Sequence, residues 1–415
     1  MRPLKIALLS HWYWLESQIH YDGEGGATRQ LAEAVAALGH EVVVLSQSSE
    51  VRKLKKIQIG ALETWVSPRD KHRGLFTALR DTAAKSAYSY PKVYSDALAL
   101  REFLARRGPF DVLWAHAESP DGLVAAIAAR LRGKKLPPVL LQIQALRCRF
   151  EKGAPVFTEK RPLGLAFRQA RRILAPSKMV VDSLPSYAGP GLTAADLQAK
   201  VRVVYPNLQR SFLRAAQESP SAPMTDRILF LGALNQTRGA PVFMRAIPKT
   251  TASKRVSTFV IIGDFTEYNR RFIRRWDEAT EAVRVQLTGA RMEYLGKVSS
   301  FEVLRQIKLA TVVVIPSLFD AFSRGVVEAI LLGRPVVTTD KVGASPLVQT
   351  HQCGIVIPPN DPPALARAID VVLSPIVPFA KNAQKAGHSL LHEFSPETIA
   401  LQIAQHLSEI ALPPK

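Results

Sequence analysis

Short apolar runs alternate with helix-like segments along the chain. The run KIALLS is followed by ATRQLAEAVAAL and then by a second apolar run, HEVVVLS. Apolar residues of the middle segment recur at a helical spacing, at Leu31, Ala34, Val35 and Leu38. Gly39 stands where the glycine that ends a helix belongs. This order predicts a strand, a helix and a second strand, the unit of parallel sheets covered by helices on both faces.

The alternation continues through the first half and then restarts. Further strands of the first half are predicted at DVLWAHA, PPVLLQIQ, ARRILAPS and KVRVVYPN. Residues 208–226 are polar, small and proline-containing, which is typical of a linker. Strands of the second half are predicted at RILFLGAL, STFVIIGD, RMEYLG and TVVVIPS. The sequence therefore predicts an α/β protein with two doubly wound parallel-sheet domains that face each other across a cleft.

Length and cysteine content agree with a cytoplasmic protein of two domains. The chain has 415 residues, and 47% of them are hydrophobic, enough for two sizeable cores. No apolar run reaches the ~18 residues of a membrane span, and the first residues lack the features of a secretory signal. The two cysteines, Cys148 and Cys353, form no disulfide framework and fit a reducing compartment.

Charge adds a preference for anionic partners. The formal net charge is +20, which favours nucleic acid, phospholipid head groups or phosphorylated substrates. Most basic clusters lie in the first half, at residues 51–56, 68–73, 147–152 and 167–172, and one lies at 269–276. Any single cluster could also be a solvated face of the protein, but the clusters together favour binding to a partner with an anionic surface.

Candidate site residues of the first half stand at strand ends, where ligands of such sheets bind. Gly25 and Gly26 lie just before a predicted helix start, with Thr28 in its first turn. Glycines there let a ligand approach the backbone at the positive end of the helix, although a tight turn is an equal alternative. His116 ends the strand DVLWAHA beside several polar residues, in either a structural or a functional role.

Two segments of the second half indicate an anion flanked by hydroxyl groups. Arg238 and Gly239 open a predicted helix after a strand, and a cation at a helix N-terminus suits a phosphate. Asp320 and Glu328 stand eight residues apart, and both face one site if Ser323–Leu332 is helical. Two acids can accept hydrogen bonds from sugar hydroxyls but would repel each other at a phosphate. A nucleotide sugar has the required chemistry.

The same segment carries a family resemblance. PSLFDAFSRGVVEAILLGRPV resembles the E-x7-E signature of retaining glycosyltransferases with the GT-B fold, in particular glycosyltransferase family 4. GGATRQLAEAVAALGHEVVVL, VLWAHAESPDG and ILFLGAL with RGAPVFMRAI resemble other family motifs, and the order is kept over nearly the whole chain. The resemblance implies two Rossmann-like domains, an acceptor-binding domain at 1–208 and a nucleotide-sugar domain at 209–385, and a C-terminal helix at 386–415 that returns to the first domain.

The resemblance also implies roles. Glu328 would bind the ribose hydroxyls and Asp320 the donor sugar, while the backbone amides of Phe322, Ser323 and Arg324 would face the diphosphate. Arg238, which matches a lysine of the family, would stabilise the leaving diphosphate. The remaining implied positions are His116 beside the sugar and acceptor, Gly25 and Gly26 beside the donor phosphate or acceptor, and Lys297 and Val298 beside the base.

Four positions depart from the family pattern. Asp320 replaces a glutamate, Ser323 a glycine, Gln144 a histidine and Ala233 an arginine. The loss at position 233 is the most serious, since a cation on a developing diphosphate charge can supply several kcal/mol. Three outcomes are open at this point. Arg238 and the helix end are sufficient to stabilise the diphosphate, another basic residue takes the place of the missing arginine, or the enzyme is slow or inactive.

The implied reaction is transfer of a sugar from a nucleoside diphosphate sugar, such as a UDP-sugar, to a hydroxyl group with retention of configuration. No D-x-D motif ends a strand, so neither a metal nor another cofactor is expected. The aromatic loop HWYWLESQIHY and the basic clusters predict a peripheral protein at the cytoplasmic face of an anionic membrane. The expected acceptor is a lipid-linked sugar or glycan intermediate of cell-surface polysaccharide or glycolipid synthesis.

Three alternatives remain at this stage. A nucleotide-sugar epimerase of the same fold would need no acceptor, and a catalytically impaired protein of this fold could serve in surface binding. A nucleic-acid binder would explain the charge, but not the paired acids, and no nucleic-acid motif is present, so no nucleic-acid partner is expected.

Overall fold

The computed structural model describes residues 2–11, 23–48, 51–68, 90–117, 121–131, 135–146, 148–151, 154–157, 160–218, 226–265, 270–374 and 378–411. The chain divides into two compact units. The first unit comprises Met1–Arg147, Phe157–Tyr205 and Pro396–Lys415, and the second comprises Cys148–Val156 and Pro206–Ser395.

Strands and helices alternate through most of the described chain. The strands are β1 (Lys5–Leu9), β2 (Glu41–Ser48), β3 (Lys55–Ile59), β4 (Leu62–Pro68), β5 (Val112–Ala115), β6 (Val139–Gln142), β7 (Cys148–Glu151), β8 (Ala154–Phe157), β9 (Arg172–Ala175), β10 (Val201–Val203), β11 (Arg227–Leu231), β12 (Thr258–Ile262), β13 (Arg291–Gly296), β14 (Val312–Ile315), β15 (Val336–Thr339) and β16 (Gly354–Ile357). The α-helices are α1 (Gly23–Ala37), α2 (Tyr90–Arg107), α3 (Leu123–Ala128), α4 (Lys160–Gln169), α5 (Lys178–Ser183), α6 (Ala194–Lys200), α7 (Arg210–Glu218), α8 (Ala240–Ala246), α9 (Arg270–Arg284), α10 (Ser300–Leu309), α11 (Arg324–Leu331), α12 (Ser345–Thr350), α13 (Pro362–Val372), α14 (Phe379–Leu390) and α15 (Pro396–Ala411).

The sheet of the first unit has the order β10-β9-β6-β5-β1-β2-β4-β3 in the described residues. The pairs are parallel except β3 with β4. β1 lies between β5 and β2, so the residues that follow β1 and β5 are neighbours at the carboxyl edge. The core contains Trp114 of β5 and Leu31 of α1, together with Ile399, Ile403 and Leu407 of α15.

The sheet of the second unit is parallel throughout and has the order β13-β12-β11-β14-β15-β16. Phe230, Phe243 and Phe259 are fully buried in its core, and the rings of Phe230 and Phe243 lie 5.2 Å apart. Because β11, β14 and β15 are adjacent, the loops that follow these strands lie side by side. The predicted fold class, two doubly wound parallel-sheet domains, is confirmed.

Several boundaries and elements differ from the sequence prediction. The predicted linker begins as a helix, α7, which packs against α11 of the second unit. The returning segment begins at Pro396 rather than at 386, because α14 still packs against α11 and only α15 packs against α1. The antiparallel pair β3–β4 was not predicted. Lys56, part of a predicted basic cluster, lies in β3 and pairs with Glu63 of β4 at 2.8 Å.

None of the helices in the described ranges combines the length and the apolar character that a membrane crossing requires.

Candidate active site

The segment that follows β14 is fixed by backbone hydrogen bonds to both neighbouring loops. The amide of Leu318 donates to the carbonyl of Thr237, in the loop after β11, at 2.7 Å. The amide of Asp320 donates to the carbonyl of Lys341, after β15, at 2.9 Å, and the amide of Gly343 donates back to the carbonyl of Asp320 at 2.9 Å. These bonds hold the backbone of Asp320 in place before any ligand binds.

Asp320 and Arg238 form an ion pair at this sheet edge. Nη1 of Arg238 contacts Oδ2 of Asp320, and the side chains are 36% and 12% exposed, respectively. The amide of Arg238 donates to Oδ1 of Asn235 at 2.8 Å, which fixes the start of the side chain. The sequence predicted separate roles for the two residues, and the structure joins them directly. The acid therefore orients the guanidinium group.

Gly239 explains how the two loops come so close. Its φ is 74°, and a β-carbon at this position would lie 1.9 Å from the carbonyl oxygen of Pro316. Only a residue without a side chain permits this approach. Gly239 thus holds the start of α8, and with it Arg238, against the end of β14.

The helix that carries Glu328 begins after an unusual residue. α11 starts at Arg324, whereas the predicted helix started at Ser323. Ser323 has φ 70° and ψ 92°, a conformation that glycine adopts readily and that costs another residue ~1 kcal/mol. Ser323 therefore has a backbone conformation that is more typical of glycine. The Ser323 side chain makes no capping hydrogen bond to the first turn of α11.

Phe322 packs into the core beside the start of α11. Its ring is buried and lies 5.9 Å from the ring of Phe394. Its carbonyl accepts a hydrogen bond from the amide of Ala344 at 2.8 Å. Its amide, which the resemblance assigned to the diphosphate, lies 3.4 Å from Oδ1 of Asp320.

Glu328 has different surroundings from Asp320. Burial raises the pKa of Glu328 to about 7, and the positive charge of Arg324, one helical turn earlier, acts in the opposite direction. Within the described ranges, no side chain donates a hydrogen bond to its carboxylate. A partly buried carboxylate of this kind is suited to accept hydrogen bonds from a ligand's hydroxyl groups.

Lys297 and Val298 lie at the same edge but farther away. They follow β13, the outermost strand on that side of the sheet, and the strand ends at Gly296 with φ 66°. Lys297 is exposed and Val298 is half-buried. Three strand spacings, roughly 14 Å, separate β13 from β14, so these residues lie apart from the Arg238–Asp320 pair.

In the first unit, His116 is part of a buried polar contact. The side chain is 1% exposed. Its Nε2 lies 3.2 Å from Nε2 of Gln144 and 3.3 Å from Oγ1 of Thr28. Gln144, noted in the sequence as a departure from the family, therefore contacts the candidate histidine directly. An amide N–H and a hydroxyl can both donate to this ring nitrogen.

Gly25 and Gly26 were predicted to precede the helix, and this placement is wrong. α1 begins at Gly23, so both glycines lie in its first turn. Gly25 is buried and Gly26 is half-buried. Glycine disfavours helix by about 1 kcal/mol per residue, and α1 forms with both glycines in its first turn and packs against α15.

A buried histidine with two acids was missed by the sequence analysis. His11 follows β1, and its Nδ1 contacts Oδ1 of Asp121 while its Nε2 lies 3.4 Å from Oδ2 of Asp96. Asp121 is fully buried and Asp96 is 5% exposed. The position of His11 just past the central strand was the available signal, but the pairing joins residues 110 positions apart.

The described residues contain no group of three or more His, Cys, Asp or Glu side chains that could hold a metal ion. Metal-independent chemistry stays a prediction.

Comparison with solved structures defines the class of fold. Sucrose-phosphate synthase from Thermosynechococcus elongatus superposes with a TM-score of 0.73 at 19% identity, covering 99% of both chains. HepE from Anabaena, solved in complex with UDP-glucose, superposes with a TM-score of 0.65 at 18% identity, covering 98% of this chain and 100% of that chain. The protein thus has the GT-B fold of two Rossmann-like domains.

Sequence comparison gives the family. Residues 22–191 match the model described as "Glycosyl transferase 4-like domain", and residues 225–374 match "Glycosyl transferases group 1". The glycogen synthase of Mycobacterium tuberculosis is 24% identical over 422 residues, covering 97% of this chain and 94% of that protein. The chain belongs to the group 1 glycosyl transferases, family 4 of the GT-B glycosyltransferases. It is therefore a hexosyltransferase that uses a nucleotide sugar.

Proposed function

We propose that the protein transfers a sugar from a UDP-sugar to a hydroxyl group of a lipid-linked sugar or glycan, with retention of configuration and without a metal. The observation that carries the proposal is the Arg238–Asp320 ion pair, held beside the first turn of α11 with Glu328 one turn farther on. The solved complex of the structurally similar HepE with UDP-glucose supports the choice of UDP.

The second unit supplies groups for each part of the donor. The carboxylate of Glu328 accepts hydrogen bonds from the ribose hydroxyls, and Asp320 accepts them from the sugar. Arg238 and the amides at the start of α11 meet the negative charge of the diphosphate. Preorganised groups of this kind stabilise charge as it develops, because they need little rearrangement during the reaction.

The reaction breaks the bond between the anomeric carbon and the β-phosphate oxygen. The acceptor oxygen forms a new bond to the same face of that carbon, and its proton passes to the leaving diphosphate. Arg238 stabilises the charge left on the diphosphate. In the first unit, His116, which contacts Thr28 and Gln144, is the proposed contact for the acceptor.

The lipid-linked acceptor is inferred from the net charge of the protein. The net charge of +20 favours approach to an anionic leaflet, where lipid-linked acceptors are found. This predicts a peripheral enzyme of the cytoplasmic membrane face.

The test is donor turnover by purified protein with UDP-, GDP-, ADP- and dTDP-sugars, in the presence of EDTA and candidate lipid-linked acceptors. We expect turnover of a UDP-sugar, a product whose anomeric configuration by NMR equals that of the donor, and a ~10²–10³-fold fall in kcat for Arg238→Ala. Arg245→Ala, an exposed arginine of α8 that contacts Asn360, is the matched control. Inversion at the anomeric carbon, or activity that requires an added metal, would overturn the proposal.

A further inference from the structure

We propose that the side chain of Arg324 is the second cation that binds the donor diphosphate. This inference rests on the proposed donor site and specifies how its charge is met. It assigns a role to the guanidinium group of Arg324, beyond the backbone amide that the family resemblance implied.

The need for a second cation follows from the Arg238–Asp320 pair. The carboxylate of Asp320 already balances the charge of Arg238, whereas a diphosphate brings at least two negative charges. Ala233, in the loop that also carries Arg238, offers only a methyl group. A basic side chain from another element must therefore supply the missing charge.

The position of Arg324 on α11 matches the order of groups in a nucleotide. Arg324 and Glu328 are four residues apart, so they lie on one face of the helix about 6 Å apart along its axis. The two side chains interact electrostatically. If Glu328 binds the ribose and the start of α11 binds the diphosphate, as proposed above, Arg324 lies on the diphosphate side, one turn towards the N-terminus.

The first turn of α11 packs against the ends of β11 and β14. A β-carbon on Gly325 would lie 2.9 Å from Cδ2 of Leu231 and 3.2 Å from Cδ1 of Ile315. Leu231 is the last residue of β11, and the chain continues directly into Gly232 and Ala233. Arg324 therefore begins its helix beside the loop in which the cation is absent.

The side chain also has unused hydrogen-bonding capacity. Nε of Arg324 is buried and finds no hydrogen-bond partner among the residues that the structure describes. A buried donor without an acceptor is unfavourable. An oxygen atom of a bound diphosphate would satisfy this donor and neutralise the charge at the same time.

A purely structural role is the competing explanation. Arg324 could serve only to balance Glu328 within the helix, in which case its removal would affect the ribose contact and leave the phosphate contacts unchanged. The two explanations differ in which part of the nucleotide loses affinity.

The test compares binding of UDP and of uridine, which lacks phosphate, by calorimetry and ligand-observed NMR. Leucine keeps the helix propensity of arginine, so Arg324→Leu removes the charge without disrupting α11. We expect UDP affinity to fall ~10–100-fold, as for loss of a charged hydrogen bond, while uridine affinity changes less than about twofold. Arg324→Lys should retain part of the UDP affinity, and Arg245→Leu should leave both ligands unaffected.

A second variant restores the charge from the neighbouring loop. Adding Ala233→Arg to Arg324→Leu should recover UDP affinity. Unchanged UDP binding in Arg324→Leu, or an equal loss for UDP and uridine, would overturn the inference while the proposed donor site stands. If the wild type binds neither UDP nor GDP, ADP or dTDP, the proposed function is itself wrong and the inference fails with it.

Discussion

At the scale of single residues, Asp320 and Glu328, which stand eight residues apart, have distinct environments. Asp320 is paired with Arg238, and its backbone is fixed on both sides. Glu328 sits in a partly buried position where burial raises its pKa to about 7. The two acids of one sequence signature therefore differ in their surroundings, since Asp320 contacts a cation and Glu328 is a partly buried carboxylate with a raised pKa.

The raised pKa of Glu328 predicts a pH-dependent stability of the second unit. Since the folded pKa lies above the unfolded value of 4.5, the protonated form favours the folded state. Its contribution is complete below pH 4.5 and is lost as the pH rises through about 7. Unfolding in urea from pH 4 to 8 gives the free energy of unfolding of the wild type and of Glu328→Gln. We expect the wild type to lose stability relative to Glu328→Gln as the pH rises over this window. A difference that is independent of pH would contradict the assignment.

At the scale of elements, the central strands were the easiest part of the fold to predict. β11 and β14 lie inside the parallel sheet; β14 is apolar throughout and β11 is apolar after Arg227, the pattern that burial on both faces produces. The edge pair β3–β4 was missed because its first strand, KKIQI, carries lysines that suggested a charged surface. A local sequence pattern does not show which strands pair at the edge of a sheet.

The same limit applies to the candidate site. Asp320, Arg238 and the region of the helix start were predictable because each lies in the segment that follows a strand, and Glu328 was predictable from its eight-residue spacing to Asp320. The Arg238–Asp320 contact and the His11–Asp121 contact were not, since each joins residues far apart in sequence. The left-handed backbone of Ser323 was also hidden, because serine seldom adopts it.

Gly239 allows a prediction about how α8 is seated against β14. Gly239→Ala combines the left-handed strain with a clash against the Pro316 carbonyl, so we expect a loss of about 2–4 kcal/mol in the stability of the second unit. It should also weaken UDP binding, because Arg238 moves with the loop. Gly296→Ala is the control, since its φ is 66° but its β-carbon would meet only Tyr294 at ordinary contact distance. Equal destabilisation of the two variants in chemical unfolding would show that the clash is absent.

At the scale of the whole molecule, the net charge of +20 is the dominant feature. Part of the basic surface is balanced locally, as at Lys56 and Arg107, which both pair with Glu63. The excess remains large after such pairs, and a surface of this kind favours anionic partners.

This excess predicts binding to anionic membranes. The protein should sediment with vesicles that contain phosphatidylserine at low salt and should be released as the ionic strength rises, because exposed charges are screened over about 10 Å at 0.1 M salt. Vesicles of phosphatidylcholine alone are the control. Failure to sediment with the anionic vesicles at low salt would contradict the membrane-surface part of the proposed function.

The central claim is that Glu328 and the Arg238–Asp320 pair form a nucleotide-sugar site, and thermal unfolding with UDP, GDP, ADP and dTDP at millimolar concentration tests it most directly. We predict that UDP raises the unfolding midpoint of the wild type, with about 2.7 kcal/mol of added stability at ~100 times its dissociation constant. Glu328→Ala should abolish the rise, because the ribose contact is lost. No rise with any of the four nucleotides, or the same rise in Glu328→Ala as in the wild type, would contradict the account.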